Sequence, residues 1–152
     1  MTDDPDHSQQ GAPAVLVSNR QTVPVDEDGL AVLARTTLLA EGVGVAELSL
    51  SFVDEDEIEA LHVRYMDEPG PTDVLSFPLD PDDRDEAGAR MLGDVVIAPT
   101  VAARNNPDAP QAEMRLLVVH GVLHLLGYDH EADDERADMW ARQERYSGVT
   151  VA

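Results

Sequence analysis

The sequence of 152 residues predicts a single α+β domain, a small mixed four-stranded sheet packed with about five helices. Three observations predict this class. Short β-prone runs and amphipathic segments follow one another, no repeat or linker divides the chain, and the length suits one domain with its own core. We expect residues 1–13 to form a flexible acidic tail and residues 14–152 to form the domain.

Four short runs have the composition of strands. The first, AVLVS, is apolar and β-prone, and VAELSLSFV alternates apolar and polar residues as a half-buried strand does. The runs DVLSFP and MLGDVVIAP both end in proline, which cannot continue a strand ladder. The predicted strands are therefore Ala14–Ser18 and residues 45–53, 73–78 and 91–99.

Four of the helices can be placed from their patterns. Two begin with carboxylates, which suit a helix N-terminus, and then show apolar residues at helical spacing. A third begins at Pro110, since proline is tolerated in the first turn, and ends before Gly127. The last is polar. The predicted helices cover residues 26–42, 54–66, 110–126 and 131–146, and an acidic loop covers residues 80–90.

The charge is strongly negative, because 31 acidic residues face only 10 basic ones, for a net charge of −21. This balance argues against general affinity for phosphate backbones, and no DNA binding is expected. Whether Arg64, Arg104 and Arg115 form a local basic patch stays open. The acidic start does not resemble a secretion signal, and the apolar run 116–126 is too short to cross a membrane, so we expect a cytoplasmic protein.

The stretch HGVLHLLGYDH holds three of the five histidines. In a helix, His120 and His124 point the same way and can bind one ion. Gly127 allows the chain to turn back, so that His130 can add a third nitrogen. The chain has no cysteine, which excludes thiolate ligands and disulfides.

Three histidine ligands leave one tetrahedral position open for water, which is the arrangement of catalytic zinc sites. We expect one zinc ion per chain, although nickel, copper or iron would also accept nitrogen ligands. His7 and His62 are interpreted as ordinary residues. The same spacing occurs in metzincin proteases, but Gly121 stands where those enzymes have a glutamate base. A metal-dependent hydrolase of another substrate, peptides included, stays an alternative.

Three blocks of the sequence belong together: HGVLHLLGYDH, LHVRYMDEPGPTDVLSFP and LGDVVIAP. They resemble the YbeY family, the zinc endoribonucleases of bacterial ribosomal RNA maturation. The resemblance implies a single-strand-specific endoribonuclease that acts in late 3′-end maturation of small-subunit RNA and in ribosome quality control. Its implied partners are single-stranded RNA, the small ribosomal subunit and its assembly factors. The implied zinc ligands are His120, His124 and His130.

One position departs from the family's pattern. Many relatives have arginine after the tyrosine of the second block, where this chain has Met66. Arg64 is a tentative replacement, but residues two apart do not share a helix face. Asp129 could orient a ligand or the water, or could be an ordinary turn residue. The departure keeps a second function open, a ribosome-assembly factor with a mainly structural metal.

Thr72 and Ser76 belong to the second block. Their hydroxyl groups could donate hydrogen bonds to a substrate or only to the backbone of the turn. Both interpretations fit the sequence.

Overall fold

The computed structural model describes residues 12–129 and 132–149. Nine elements occur within them, and they match the predicted α+β class. The strands are β1 (Ala14–Arg20), β2 (Ala46–Val53), β3 (Val74–Pro78) and β4 (Arg90–Ile97). The helices are α1 (Glu27–Ala40), α2 (Glu55–Met66), α3 (Pro99–Asn105), α4 (Pro110–Leu125) and α5 (Asp133–Ser147). Residues 1–11 of the predicted tail lie outside the described residues.

The four strands form one mixed sheet in the order β1-β2-β4-β3. Strands β1, β2 and β4 run parallel, and β3 joins the edge of β4 in the antiparallel direction. The register of β2 against β4 shifts between Glu47 and Leu48. Buried positions alternate along β2, as its sequence pattern predicts for a strand with one face on the core.

The four predicted strands and four predicted helices are all present, with ends that differ by a few residues. Helices α1 and α2 begin at aspartates whose side chains accept a hydrogen bond from the first turn, Asp26 from Gly29 and Asp54 from Glu57. The short helix α3 has no counterpart among the predicted segments. Pro99 ends the predicted strand but also starts α3, because its fixed φ suits a first helical turn.

The core lies on both faces of the sheet. On one face, α1 and α4 pack against residues such as Leu48, Leu50 and Val95, all almost completely buried. On the other face, Ile58 of α2 and Val101 of α3 join a smaller cluster. Helix α5 packs on the outside of α4 through Met139, which is fully buried. Helix α4 therefore lies between the sheet and α5.

Candidate metal site

Helix α4 is buried on most of its circumference because it has neighbours on two sides. Val118 and Val122 belong to the cluster on the sheet, while Val119 and Leu123 pack towards α5. A helix that is apolar almost all round is typical of a central position. His120 and His124 are half-buried positions on this helix, so they lie where α4 approaches the surface.

The rings of His120 and His124 lie together, as their spacing of four residues predicts. Their centroids are 4.5 Å apart and their planes are inclined by 74°. This separation suits two imidazoles that each give one nitrogen to the same ion, with metal–nitrogen bonds of about 2.0–2.1 Å.

A hydrogen bond from α5 holds the His120 ring. The Nδ1–H of His120 donates to the side-chain oxygen Oε1 of Gln143, which is 4% exposed. This bond fixes the tautomer and leaves Nε2 on the other side of the ring as the nitrogen that can bind a metal. Histidine ligands of metals usually donate their second N–H in this way, which fixes the ring's orientation. The two histidines and Gln143 therefore fit a metal site.

A tight turn ends α4 directly after His124. The N–H of Gly127 donates to the carbonyl of His124, and the N–H of Tyr128 donates to the carbonyl of Leu123. This pair of bonds is the Schellman motif, and Gly127 has the positive φ of 100° that the motif favours. The predicted glycine corner is confirmed.

The predicted third ligand, His130, lies outside the described residues. Among residues 12–129 and 132–149, no group of three or more histidine, cysteine, aspartate or glutamate side chains could hold a metal. The described part of the chain therefore contains two of the three predicted ligands. The ligand set and its metal stay a prediction.

Gly121 faces the sheet. A Cβ atom added to Gly121 would lie 2.5 Å from Cγ1 of Val95, far closer than side chains pack. Any larger residue at position 121 would therefore point into the core between α4 and β4. The position where the metzincin motif has its glutamate base cannot carry a base here without moving the helix.

Glu41, just after α1, accepts hydrogen bonds from three side chains. Tyr128 donates at 2.5 Å, Arg142 donates from Nη1 at 2.6 Å, and Tyr146 donates to the same carboxylate oxygen as Arg142. The Arg142 guanidinium also lies over the Tyr128 ring, 4.9 Å from its centroid. We call these four residues the Glu41 cluster. It joins α1, α5 and the turn that leads to His130.

The protonation of the Glu41 cluster follows from its geometry. Burial raises the pKa of Glu41, but the hydrogen bonds from Tyr128, Tyr146 and Arg142 outweigh it, and the net pKa is lowered. Burial and the bond to Glu41 raise the pKa of Tyr128 to about 12. At neutral pH the cluster therefore consists of a charged carboxylate with three donors.

The tentative catalytic residues lie in different parts of the structure and differ in exposure. Arg64 is exposed on α2, with its guanidinium 5.2 Å from the centroid of the Tyr65 ring. Asp129 is half-buried at the end of the described turn. The hydroxyl of Ser76 lies 3.5 Å from the carbonyl oxygen of Gly121 and points to the backbone, and Thr72 is half-buried before β3. The catalytic roles of Arg64 and Asp129 stay predictions.

The arginines named as a candidate patch contact different parts of the molecule. Arg104 forms an ion pair with Glu55, and Arg115 donates to the backbone carbonyl of Ser147. With Arg64 stacked on Tyr65, each guanidinium has a partner of its own. These contacts give no support to a shared basic patch.

Three residues around the site were not among the candidates from sequence. They are Gln143 and Trp140, which lie in the predicted polar helix, and Glu41, which lies at the end of the first predicted helix. Trp140 lies beside His120, with ring centroids 6.3 Å apart and planes inclined by 76°. The sequence offered one signal for two of them. Trp140 and Gln143 are three residues apart, and residues at that spacing share a helix face.

A cavity of about 470 Å³ lies next to the turn that ends α4, and Leu126 and Tyr128 of that turn line it. Its lining includes Glu41, Tyr128, Arg84 and Arg90, but neither His120 nor His124. Arg84 belongs to the acidic loop of residues 80–90, which weakens any attraction for anions. The chemistry that the sequence predicts therefore lies outside this cavity.

Within the part of the chain that the structure describes, no helix has the length and apolar character needed to cross a membrane. The longest, α4, contains the two histidines.

A mixed four-stranded sheet, with a histidine pair on the helix that covers it, defines a class of small α+β proteins with a candidate metal site. A model of the YbeY family, described as Endoribonuclease YbeY, matches residues 16–148. The chain belongs to this family.

Individual relatives agree with this assignment. The Endoribonuclease YbeY of Thermobifida fusca is 52% identical over 140 residues, which cover 86% of this chain and 89% of that protein. The Endoribonuclease YbeY of Streptomyces coelicolor is 45% identical over 141 residues, or 86% of each chain. The solution structure of TM1509 from Thermotoga maritima matches with a TM-score of 0.58 and 27% identity, over 88% of this chain and 86% of that one. The resemblance noted from the sequence is confirmed.

Proposed function

We propose that this protein is a metal-dependent endoribonuclease that cuts single-stranded RNA. Membership of a family described as endoribonucleases supports the reaction. The observation that carries the metal dependence is the histidine pair, with rings 4.5 Å apart and one of them held by Gln143. We further propose zinc as the metal, one ion per chain.

In this proposal, His120, His124 and His130 hold the ion, and Gln143 keeps the His120 ring in the ligating orientation. When bound, a divalent ion supplies positive charge to the phosphodiester oxygens and makes hydroxide available near neutral pH. The Schellman turn after His124 ends α4 within three residues of His124, and this short spacing supports the proposal of a third ligand at position 130. Asp129 is proposed to orient a neighbouring histidine.

The proposed substrate is the precursor of small-subunit ribosomal RNA, cut during late 3′-end maturation in the cytoplasm and during ribosome quality control. The small subunit and its assembly factors are the proposed partners. These details come from the resemblance of the three sequence blocks, and RNA as substrate follows from an endoribonuclease activity. A net charge of −21 indicates that RNA contacts depend on few local groups and not on a broad basic surface.

The test combines metal content with RNA cleavage. Purified protein is expected to contain about one zinc per chain and to cut single-stranded RNA, and a chelator is expected to stop the cutting. The variant His124→Ala is expected to lose the zinc, because two nitrogen ligands bind far more weakly than three. The control is His62→Ala, since His62 contacts Gly70 and Glu68 and not the histidine pair. Retention of one zinc by His124→Ala would show that the ligand assignment is wrong.

A second function, a ribosome-assembly factor with a structural metal, is favoured by one observation. Met66, 42% exposed, stands where the family resemblance implies arginine in many relatives, and Arg64 is stacked on its own neighbour Tyr65. Cleavage of single-stranded RNA by the zinc-loaded protein distinguishes the two functions. A zinc-loaded protein that binds single-stranded RNA but leaves it intact would support the assembly factor and contradict the nuclease.

A further inference from the structure

Trp140 is a large aromatic residue at the surface, next to the candidate metal site. It is the single tryptophan of the chain and is 38% exposed. Its neighbour Met139 is completely buried between α5 and α4, so the burial of α5 does not depend on Trp140 alone.

The indole is fixed in place by its contact with His120. The two rings meet edge to face, with centroids 6.3 Å apart and planes inclined by 76°. This is a favourable geometry for an aromatic pair, and it restricts the orientation of both rings. The partly exposed indole thus lies directly beside a predicted ligand.

We infer that Trp140 is a stacking platform for an RNA base beside the cleavage site. The inference rests on the proposed function and adds a substrate-binding residue to it. Aromatic stacking contributes about 1–3 kcal/mol per base and does not depend on the base's identity. It requires a base that is not enclosed in a duplex, and therefore favours single strands. Stacking also suits a chain of net charge −21, because it does not depend on charge.

The single tryptophan allows a direct test, because all indole fluorescence comes from Trp140. The protein is titrated with a short oligoadenylate in the presence of chelator, which prevents cleavage. We expect saturable quenching by the oligoadenylate. Inorganic polyphosphate, which has the charge without bases, and a duplex of the same length are expected to quench weakly or not at all. Equal quenching by polyphosphate would overturn the stacking role.

Variants measure the contribution to affinity through the anisotropy of a labelled oligoadenylate. Trp140→Leu is expected to weaken binding roughly 5- to 150-fold, the equivalent of about 1–3 kcal/mol. Trp140→Phe is expected to keep most of the affinity, because it keeps an aromatic face. The control is Val32→Ala, which removes a more exposed apolar side chain from α1, at 62% exposure, and is expected to change nothing.

The outcomes separate this inference from the proposed function. If Trp140→Leu binds and cuts RNA as the wild type does, the stacking role is wrong and the nuclease stands. If the wild type neither binds nor cuts single-stranded RNA, the proposed function fails and the stacking role fails with it. If Trp140→Leu does not fold, the quenching of the wild type and the affinity of Trp140→Phe decide the question.

Discussion

Helix α5 takes part in two polar clusters that differ in how completely their groups are paired. In the Glu41 cluster, one carboxylate with a side chain 7% exposed receives three donors. In the second group, which we call the histidine face (His120, His124, Gln143 and Trp140), the histidines are half-buried and the indole is 38% exposed.

The difference shows which cluster suits stability and which suits chemistry. A buried carboxylate with three donors has its hydrogen-bonding capacity used within the protein, so it holds α1, α5 and the turn together. The histidine face keeps one ring fixed through Gln143 while part of its surface reaches solvent. We expect substitutions in the Glu41 cluster to change the free energy of unfolding, and substitutions in the histidine face to change metal and RNA binding.

The largest effect is expected from Glu41→Ala. This change removes the charged acceptor of three donors, while Arg142 keeps its ion pair with Asp138, at a cost of about 3 kcal/mol in the free energy of unfolding. Urea unfolding followed by circular dichroism measures it. Glu135→Ala, at an exposed glutamate of α5, is the control and is expected to change the value by about 0.5 kcal/mol or less. A loss as small as the control's would contradict the structural role of the cluster.

Gln143→Leu tests the other cluster through metal affinity. Loss of the hydrogen bond to His120 is expected to weaken zinc binding roughly 10- to 100-fold, because ligand orientation is lost. Competition with a chromogenic chelator measures the affinity. Gln143→Glu keeps an acceptor for the Nδ1–H and is expected to restore most of it. If the variants Gln143→Leu and Gln143→Glu bind zinc equally well, Gln143 does not position the His120 ligand.

A smaller effect is expected from Tyr146→Phe, which removes one of the three donors of Glu41. A hydrogen bond to a charged group contributes about 1.5 kcal/mol or somewhat more, and the ring's packing is retained. The same urea experiment applies, and zinc affinity is expected to stay unchanged. A change in zinc affinity without a change in stability would show that the two clusters are not separate in function.

The smallest effect on the free energy of unfolding is expected from lowering the pH. Because the folded-state pKa of Glu41 is lowered from its ordinary value of 4.5, its ionisation stabilises the fold above that value. The contribution is lost as pH falls through the folded-state pKa. The difference in the free energy of unfolding between wild type and Glu41→Gln is therefore expected to be constant near neutral pH and to shrink below about pH 4.5. A difference that grows in acid would contradict the lowered pKa.

Much of the fold could be predicted because its elements have strong local signals. The alternation in β2, the aspartate caps of α1 and α2, and Gly127 after α4 are all set by residues close in the chain. Helix α3 could not be predicted in the same way. Its seven residues are too few for a periodic pattern, and Pro99 fits a strand end and a helix start equally well.

In the candidate site, too, the features set by residues close in the chain could be predicted, and those set by distant residues could not. The pairing of His120 with His124 follows from helical spacing within one segment, so the sequence was enough to predict it. The partners Gln143 and Glu41 lie 23 and 87 residues from His120 and Tyr128, which they contact. No local pattern links residues so far apart, because their contact depends on how α1, α4 and α5 pack.

The sequence by itself determined the α+β class, the family and the pairing of His120 with His124, since all three depend on short-range pattern and residue type. Only the tertiary structure decided which side chains hold and surround those histidines. It placed Gly121 against Val95, Gln143 on His120 and an indole at the surface beside it. The physical reason is that helix packing, and not helix formation, brings distant polar groups within hydrogen-bonding distance.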